Sequence, residues 1–222
     1  MKTEIVVVLT TLIVVPLFAQ PPGSTMKAVV VHEYGGPDVL KYEDVPKPEP
    51  KENEMLVRVI AAGVNPVDDG LRSGHYAKYF GPKPPFTPGG DIAGVVEKTG
   101  GKITKLKAGD AVYAYLDLDR GGGYAEYAVA TEKEAALKPK SLTFEEAAAT
   151  PIVALTAWQA LIDTAKLSAG QTVLIHGGSG GVGTFAIQIA KARGAKVLAT
   201  ASAVNQDLLK HLGADVAIDY TK

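Results

Sequence analysis

Between residues 26 and 140, short apolar runs alternate with turns marked by glycine and proline. Lys27–His32, Met55–Ala62, Ile92–Glu97, Ala111–Tyr115 and Tyr124–Ala130 have the length and apolar content of strands. Gly35-Gly36-Pro37, Pro88-Gly89-Gly90, Gly100-Gly101 and Gly121–Gly123 fall between them as turn signals. So many short strands with regular turns predict a barrel or a sandwich. At Ser141 the pattern changes. Thr143-Phe144-Glu145-Glu146 sets a hydroxyl at a helix N-cap and a carboxylate three residues later, a capping box, and an alanine-rich helix follows. It breaks at Pro151 and resumes at helical spacing through Leu155, Trp158, Leu161 and Ile162, which predicts a hinge helix between two domains with Trp158 in the core.

Beyond Gly170 the rhythm becomes strand–helix–strand. Thr172–His176 is a continuous apolar run of the kind buried in a parallel sheet. Val182, Phe185, Ala186, Ile189 and Ala190 mark one helical face, closed by Arg193-Gly194. Lys196–Thr200 predicts a second strand. Leu208, Leu209 and Leu212 predict a second helix ending at Gly213, and Val216–Tyr220 a third strand. This βαβαβ order is one mononucleotide-binding half of a doubly wound sheet. The fold class is therefore mixed β and α/β: a β-barrel domain over residues 26–150, then a partial Rossmann domain over 151–222.

Composition narrows the chemistry. With 46% hydrophobic and 21% charged residues, the 222-residue chain resembles an ordinary globular protein. A formal charge of -1 gives no electrostatic reason to expect nucleic acid or an anionic membrane as partner. The sequence has no cysteine, which excludes disulfides, thiolate catalysis and cysteine-ligated zinc. His32, His75, His176 and His211 show no paired ligand spacing, so no metal site is expected. Residues 1–25 stand apart. Ile5–Phe18 is an apolar run too short to span a bilayer, and Ala19 precedes Gln20-Pro21-Pro22. This reads as a secretory signal peptide cleaved after Ala19, giving a secreted or periplasmic protein. The alternative is an upstream extension with translation starting at Met26 and a cytoplasmic product.

The segment between the first parallel strand and its helix carries the function. Gly178-Ser179-Gly180-Gly181-Val182-Gly183 fits GxGxxG, and it follows a strand and opens a helix. Gly178 is expected to permit the turn, Gly180 to let a pyrophosphate approach the backbone, and Gly183 to let helix and strand pack closely. The helix N-terminus then offers unpaired N–H groups to phosphate. The second strand runs into Ala199-Thr200-Ala201-Ser202-Ala203, with no acid before Asp207. An acid at that strand end would hold a ribose 2′-hydroxyl, whereas small hydroxylated residues accept a 2′-phosphate, so NADP(H) is the expected cofactor. Ser202 is the expected contact, with a role as N-cap of the following helix as the alternative.

These segments resemble the medium-chain dehydrogenase/reductase superfamily and, within it, the quinone oxidoreductase (zeta-crystallin-like) branch. The resemblance runs from Met26 to Lys222 through AAGVNPVD (61–68), LRSGHY (71–76), TPGGDIAGVVEKTG (87–100), LKAGDAVYA (106–114), GGYAEYA (122–128), PIVALTAWQAL (151–161), VLIHGGSGGVG (173–183) and LGADVAIDY (212–220). It implies a GroES-like barrel, a Rossmann domain and an active site in the cleft between them. Zinc-dependent relatives carry a cysteine ligand where this chain has Asn65, so the branch it resembles works without zinc. The implied reaction is NADPH-dependent hydride transfer to a quinone or an α,β-unsaturated carbonyl. Without a metal, hydrogen-bond donors must stabilise the developing oxyanion. Asn65 and Tyr76 are the candidates, with Asp68 and Arg72 beside them. The alternatives are that Asn65 holds its loop or the nicotinamide ribose, and that Asp68 and Arg72 form a local ion pair. Tyr220 matches a tyrosine of the adenosine-phosphate pocket, and Asn205 stands where relatives often carry a basic residue. The resemblance also implies a homodimer. Members of the family continue beyond the third strand, so the chain reads as C-terminally truncated, with its first parallel strand an unpaired apolar edge. Other readings are a nucleotide-binding fragment without turnover, and an enoyl reductase or alcohol dehydrogenase of the same superfamily.

Overall fold

The computed structural model describes residues 24–222; the apolar run Ile5–Phe18 and Ala19 lie outside the described residues. Strands β1 (Thr25–Val31) and β2 (Leu40–Pro46) form an antiparallel hairpin. β3 (Glu54–Ala62) leads through a short helix, α1 (Pro66–Arg72), to β4 (Asp91–Thr99), β5 (Ala111–Tyr115), β6 (Tyr127–Thr131) and β7 (Ala135–Leu137). The last five strands form an antiparallel sheet in the order β6-β3-β4-β5-β7, and β1 joins its rim through the bridges Ala28–Ala125 and Val31–Phe86. Register shifts between Leu56 and Val57 and between Val59 and Ala61 break the β3–β4 ladder. Such bulges increase local twist and let a sheet curl. The barrel expected from the sequence is this curled half-barrel. Met55, Val57, Ile92, Val96, Val112 and Leu116, all at 1% exposure or less, fill its interior. Each such side chain contributes roughly 1.5–3 kcal/mol of burial.

The capping box forms as its spacing predicts. Thr143 Oγ1 accepts from the Glu146 N–H at 3.1 Å, and Glu146 Oε2 accepts from the Thr143 N–H at 2.8 Å. It opens α2 (Phe144–Ala148), after which α3 (Pro151–Trp158) runs into a π-helical turn over Gln159–Thr164. Trp158 departs from expectation. It is 44% exposed rather than core, and its ring lies 5.3 Å from the Arg193 guanidinium. With Tyr113, Tyr115 and Phe185 it borders an apolar cavity of about 440 Å³ between the half-barrel and α3. Leu155 is exposed as well, while Leu161 is buried as expected, beside Ala157.

The remainder is β8 (Thr172–Ile175), α4 (Gly181–Ala192), β9 (Lys196–Ala201), α5 (Gln206–His211) and β10 (Val216–Asp219). The three strands are parallel in the order β10-β9-β8, as a nucleotide-binding half-sheet requires. Ile187, Val197, Ala199 and Leu209 are fully buried between sheet and helices. Among the described strands β8 pairs only with β9, and Leu174 is 50% exposed at this edge, as the sequence leads one to expect.

Candidate functional site

The glycine loop joins β8 to α4, and each glycine is there for its own reason. Gly177, not Gly178, takes the left-handed conformation, with φ of 63°. Gly178 is demanded by packing: a Cβ there would lie 2.8 Å from Leu209 and 3.0 Å from the Ala199 methyl. A Cβ on Gly183 would run into the Gly177 carbonyl oxygen and lie 2.7 Å from the Gly178 Cα, so helix and loop touch backbone to backbone. At Gly180, the N-cap of α4, a Cβ would meet only the Gly177 carbonyl, at 3.3 Å. That position is open enough for a ligand to approach the backbone. No side chain caps α4, and the Thr184 N–H makes the first bond of the helix, to Gly180. The N–H groups of Gly181, Val182 and Gly183 therefore point outward, an arrangement that suits an anion. Ser179 is half-buried beside them.

Thr200, which the motif does not name, holds this loop. Its carbonyl accepts from the Gly178 N–H at 2.8 Å and its buried hydroxyl from the Gly177 N–H at 3.2 Å. Replacement by valine keeps the shape and leaves the Gly177 amide without an acceptor. A loss of about 1–3 kcal/mol in unfolding free energy is expected. Urea titration of Thr200→Val measures it, and a stability equal to wild type would show that the hydroxyl is dispensable.

Ser202 and Tyr220 follow the carboxyl ends of the adjacent strands β9 and β10. Asn205 Nδ2 donates to Ser202 Oγ at 3.3 Å, which leaves the Ser202 hydroxyl hydrogen for another acceptor. The side chain of Gln206 donates to the carbonyls of Ala201 and Ser202, at 2.9 and 3.2 Å, and so braces the turn. Tyr220 is 65% exposed.

On the half-barrel side, Asn65 follows β3 and is the N-cap of α1. It borders a cavity of about 410 Å³ with Asp91, Val153, Gly181 and Val182, so the fold brings Asn65 to the glycine loop across the cleft. The Asn65 side chain Nδ2 donates to Asp91 Oδ2 at 3.0 Å, and Asp91 Oδ1 accepts from the Ile152 N–H at 3.0 Å. Burial pushes the Asp91 carboxyl up to about 6, opposed by those two hydrogen bonds and aided by the charge of Asp68. Tyr76 does not border this cavity. Its ring stacks on Phe80 at 5.0 Å and covers Gly70 of α1, where a Cβ would collide with it.

The ion pair envisaged between Asp68 and Arg72 does not form. Arg72 turns back onto Asp69 and the Gly35 carbonyl, because one helical turn from Arg72 the exposed Asp69 is within reach and Asp68 faces inward. Asp68, 5% exposed, accepts from the Tyr124 hydroxyl at 2.7 Å and the Asn65 N–H at 2.8 Å. Burial raises its pKa against those bonds, and burial beside Asp68 holds the Tyr124 phenol far above its ordinary value. The sequence gives no cue to Asp91 or Tyr124, whose partners lie 26 to 61 residues away.

Two family models match the chain, an alcohol dehydrogenase GroES-like domain over residues 51–140 and a zinc-binding dehydrogenase domain over residues 181–222. The quinone oxidoreductase of Pongo abelii is 48% identical over 177 residues, which cover 79% of this chain and 53% of that protein. The chloroplastic NADPH-dependent alkenal/one oxidoreductase of Arabidopsis thaliana is 46% identical over 206 residues, 89% of this chain and 53% of that protein. A mycobacterial protein solved in complex with NADPH superposes with a TM-score of 0.76 at 37% identity, covering 88% of this chain and 59% of that one. A half-barrel ahead of a parallel nucleotide-type sheet, with a glycine loop at the cleft, defines a dehydrogenase architecture. The chain belongs to the medium-chain dehydrogenase/reductase superfamily. It spans about half the length of the curated relatives it matches.

Proposed function

We propose that this protein is an NADPH-dependent oxidoreductase that passes hydride to a quinone or an α,β-unsaturated carbonyl without zinc. The observation that carries the reading is the cavity in which Asn65 faces Gly181 and Val182 across the cleft. In this reading residues 26–150 form the GroES-like domain and 151–222 the nucleotide-binding domain. The loop Gly178–Gly183 fits a pyrophosphate, since α4 begins with three free N–H groups and Gly180 has space above it. Ser202 and Tyr220 receive the adenosine 2′-phosphate, with the free hydroxyl hydrogen of Ser202 as donor. Bound NADPH would supply the hydride. Asn65 holds the nicotinamide end or the substrate oxygen with its amide, and the phenol of Tyr76 is the second candidate donor, although its ring packs on Phe80 and Gly70 rather than on this cavity. Zinc independence rests on the sequence, which has no cysteine and has Asn65 at the ligand position. Hydrogen-bond donors then take over the stabilisation of the developing negative oxygen. The relatives named for quinones and alkenals support both substrate classes.

The test is binding of NADPH and NADH to the full chain, by calorimetry or by quenching of Trp158, followed by NADPH oxidation with a quinone and with an enone. Tighter binding of NADPH together with turnover is the expected result. Equal affinity for both nucleotides overturns the role given to Ser202 and Tyr220. Binding without turnover of either substrate identifies a nucleotide-binding chain rather than a reductase.

A further inference from the structure

Asp91 is buried to 1% exposure, yet among the described residues its carboxylate pairs with no lysine, arginine or histidine. A buried charge without a counter-ion is costly, so the groups around it must make use of what only a carboxylate offers. An ionised carboxylate accepts and cannot donate. Both of its neighbours must therefore donate, and both do. One is the Ile152 N–H, the first amide α3 has to give, because Pro151 at the first helical position has none. The other is Asn65 Nδ2.

An asparagine amide has two faces of nearly equal shape, one a donor and one an acceptor, and its hydrogen bonds decide which way round it sits. Here the decision is made at Asp91. Nδ2 must turn to its carboxylate, and Oδ1 then turns toward the start of α1, where the Asp68 N–H is already held by the Asn65 backbone carbonyl at 3.0 Å. The second hydrogen of Nδ2 is left as the one uncommitted donor of Asn65. The wall behind the pair is rigid. A Cβ on Gly63 would lie 2.6 Å from the Ala148 carbonyl oxygen and 3.0 Å from the Asp91 Cβ, so no side chain fits there.

We propose that Asp91 is a positioning residue whose carboxylate selects one orientation of the Asn65 amide and ties it to the N-terminus of α3. This rests on the proposed role of Asn65 toward nucleotide or substrate. Through Asp91, three elements meet at one side chain: β4 that carries it, the Asn65 loop, and the helix leading into the nucleotide-binding sheet. The selection holds only while Asp91 is ionised, because a protonated carboxyl also donates. The titratable groups that act on Asp91 are Asp68 from α1, Tyr124 ahead of β6 and Tyr115 from β5, while α2 and α3 present only backbone and apolar groups.

The test follows the side-chain amide of Asn65 in ¹⁵N–¹H spectra of the full chain between pH 5 and 8. The signal pair is assigned by its loss in Asn65→Ala. In wild type the pair moves with a midpoint near 6, where Asp91 gains its proton. In Asp91→Asn, which keeps the shape, that movement disappears, whereas Tyr124→Phe retains it. A pair that stays fixed in wild type, or moves equally in Asp91→Asn, overturns the proposal. In turnover, Asp91→Asn lowers kcat about 10–100-fold while KM for NADPH is unchanged, the mark of a misplaced group rather than a lost binding contact. A rise in KM with kcat unchanged overturns it also. The spectra need no nucleotide. A chain that bound neither NADPH nor NADH would sink the proposed function and leave the titration to decide the role of Asp91.

Discussion

Gly183→Ala is expected to lose about 1–3 kcal/mol or more of stability, and nucleotide binding with it. The added methyl has no flexible neighbour to displace. Its near contacts are the Gly177 carbonyl and the backbone of Gly178, at 2.7 Å for the Cα, and both belong to the loop that binds. Relief requires α4 to move away from the loop, which separates Ala186 and Ile187 from the core they share with Val197 and Leu209. Gly180→Ala is the control. Its methyl meets only the Gly177 carbonyl, at 3.3 Å, and the loss at an N-cap is about 1 kcal/mol. That variant should fold and still bind NADPH poorly, because the methyl occupies the path of the pyrophosphate. Urea unfolding and calorimetry on both variants separate the effects. If Gly183→Ala were as stable as wild type, the close packing of loop and helix would not be what that glycine provides. If Gly180→Ala bound NADPH as wild type does, the pyrophosphate would lie elsewhere.

Asp91 gives the second large effect, and its sign runs against the usual behaviour of carboxylates. Its folded value, about 6, lies above the ordinary 3.8, so between those values the folded chain holds a proton that the unfolded chain has released. Stability contributed by this group is therefore greatest in acid, falls as pH rises from about 4 to about 6, and is lost above that. The shift corresponds to roughly 3 kcal/mol. Asp68, also raised by burial, acts in the same direction. Glu97, Glu132, Glu134, Asp215 and Asp219, whose values are lowered, act oppositely. All of these remain in Asp91→Asn, so the difference between the two proteins reports Asp91 together with its coupling to Asp68. Asp91→Asn should gain on wild type as pH rises from 4 to 7, by about 6–12 °C in Tm for a chain of this size. Thermal melts across that range decide the matter, and parallel curves would show that burial does not raise the Asp91 carboxyl above its ordinary value.

The elements that sequence patterning reveals are those that bury an alternating or periodic face. β8, β9 and β10 and the helices between them fall where the apolar runs place them, and the Thr143 capping box forms as spaced. β2 escapes notice because Leu40–Pro46 is polar and largely exposed along its length, and β7 because three residues are too short to show a period. α1 lacks an apolar stripe, although Asn65 before Pro66 and Asp68 at the third position form a readable start signal. Of the helical face read from the sequence, Leu161 is buried as expected, whereas Leu155 and Trp158, on the turn ahead of the π-helical segment, are exposed beside the apolar cavity under the half-barrel. At the site, local chemistry was legible and long-range pairing was not. The glycine loop is contiguous and has a spacing. Asp91 follows two glycines and reads as a turn residue, and only the folded chain brings it to Asn65 and Ile152.

The phosphate loop is carried by β8 but positioned by β9. Two consecutive amides of the loop hang on Thr200, in the middle strand of the parallel sheet, while β8, among the described strands, is paired along one side only. The loop is thus preorganised by a neighbour rather than by its own strand. A ligand that lands on it has little backbone freedom left to remove. Loosening Thr200 would therefore appear in calorimetry as a larger entropic cost of nucleotide association, with the enthalpy of the phosphate contacts nearly preserved.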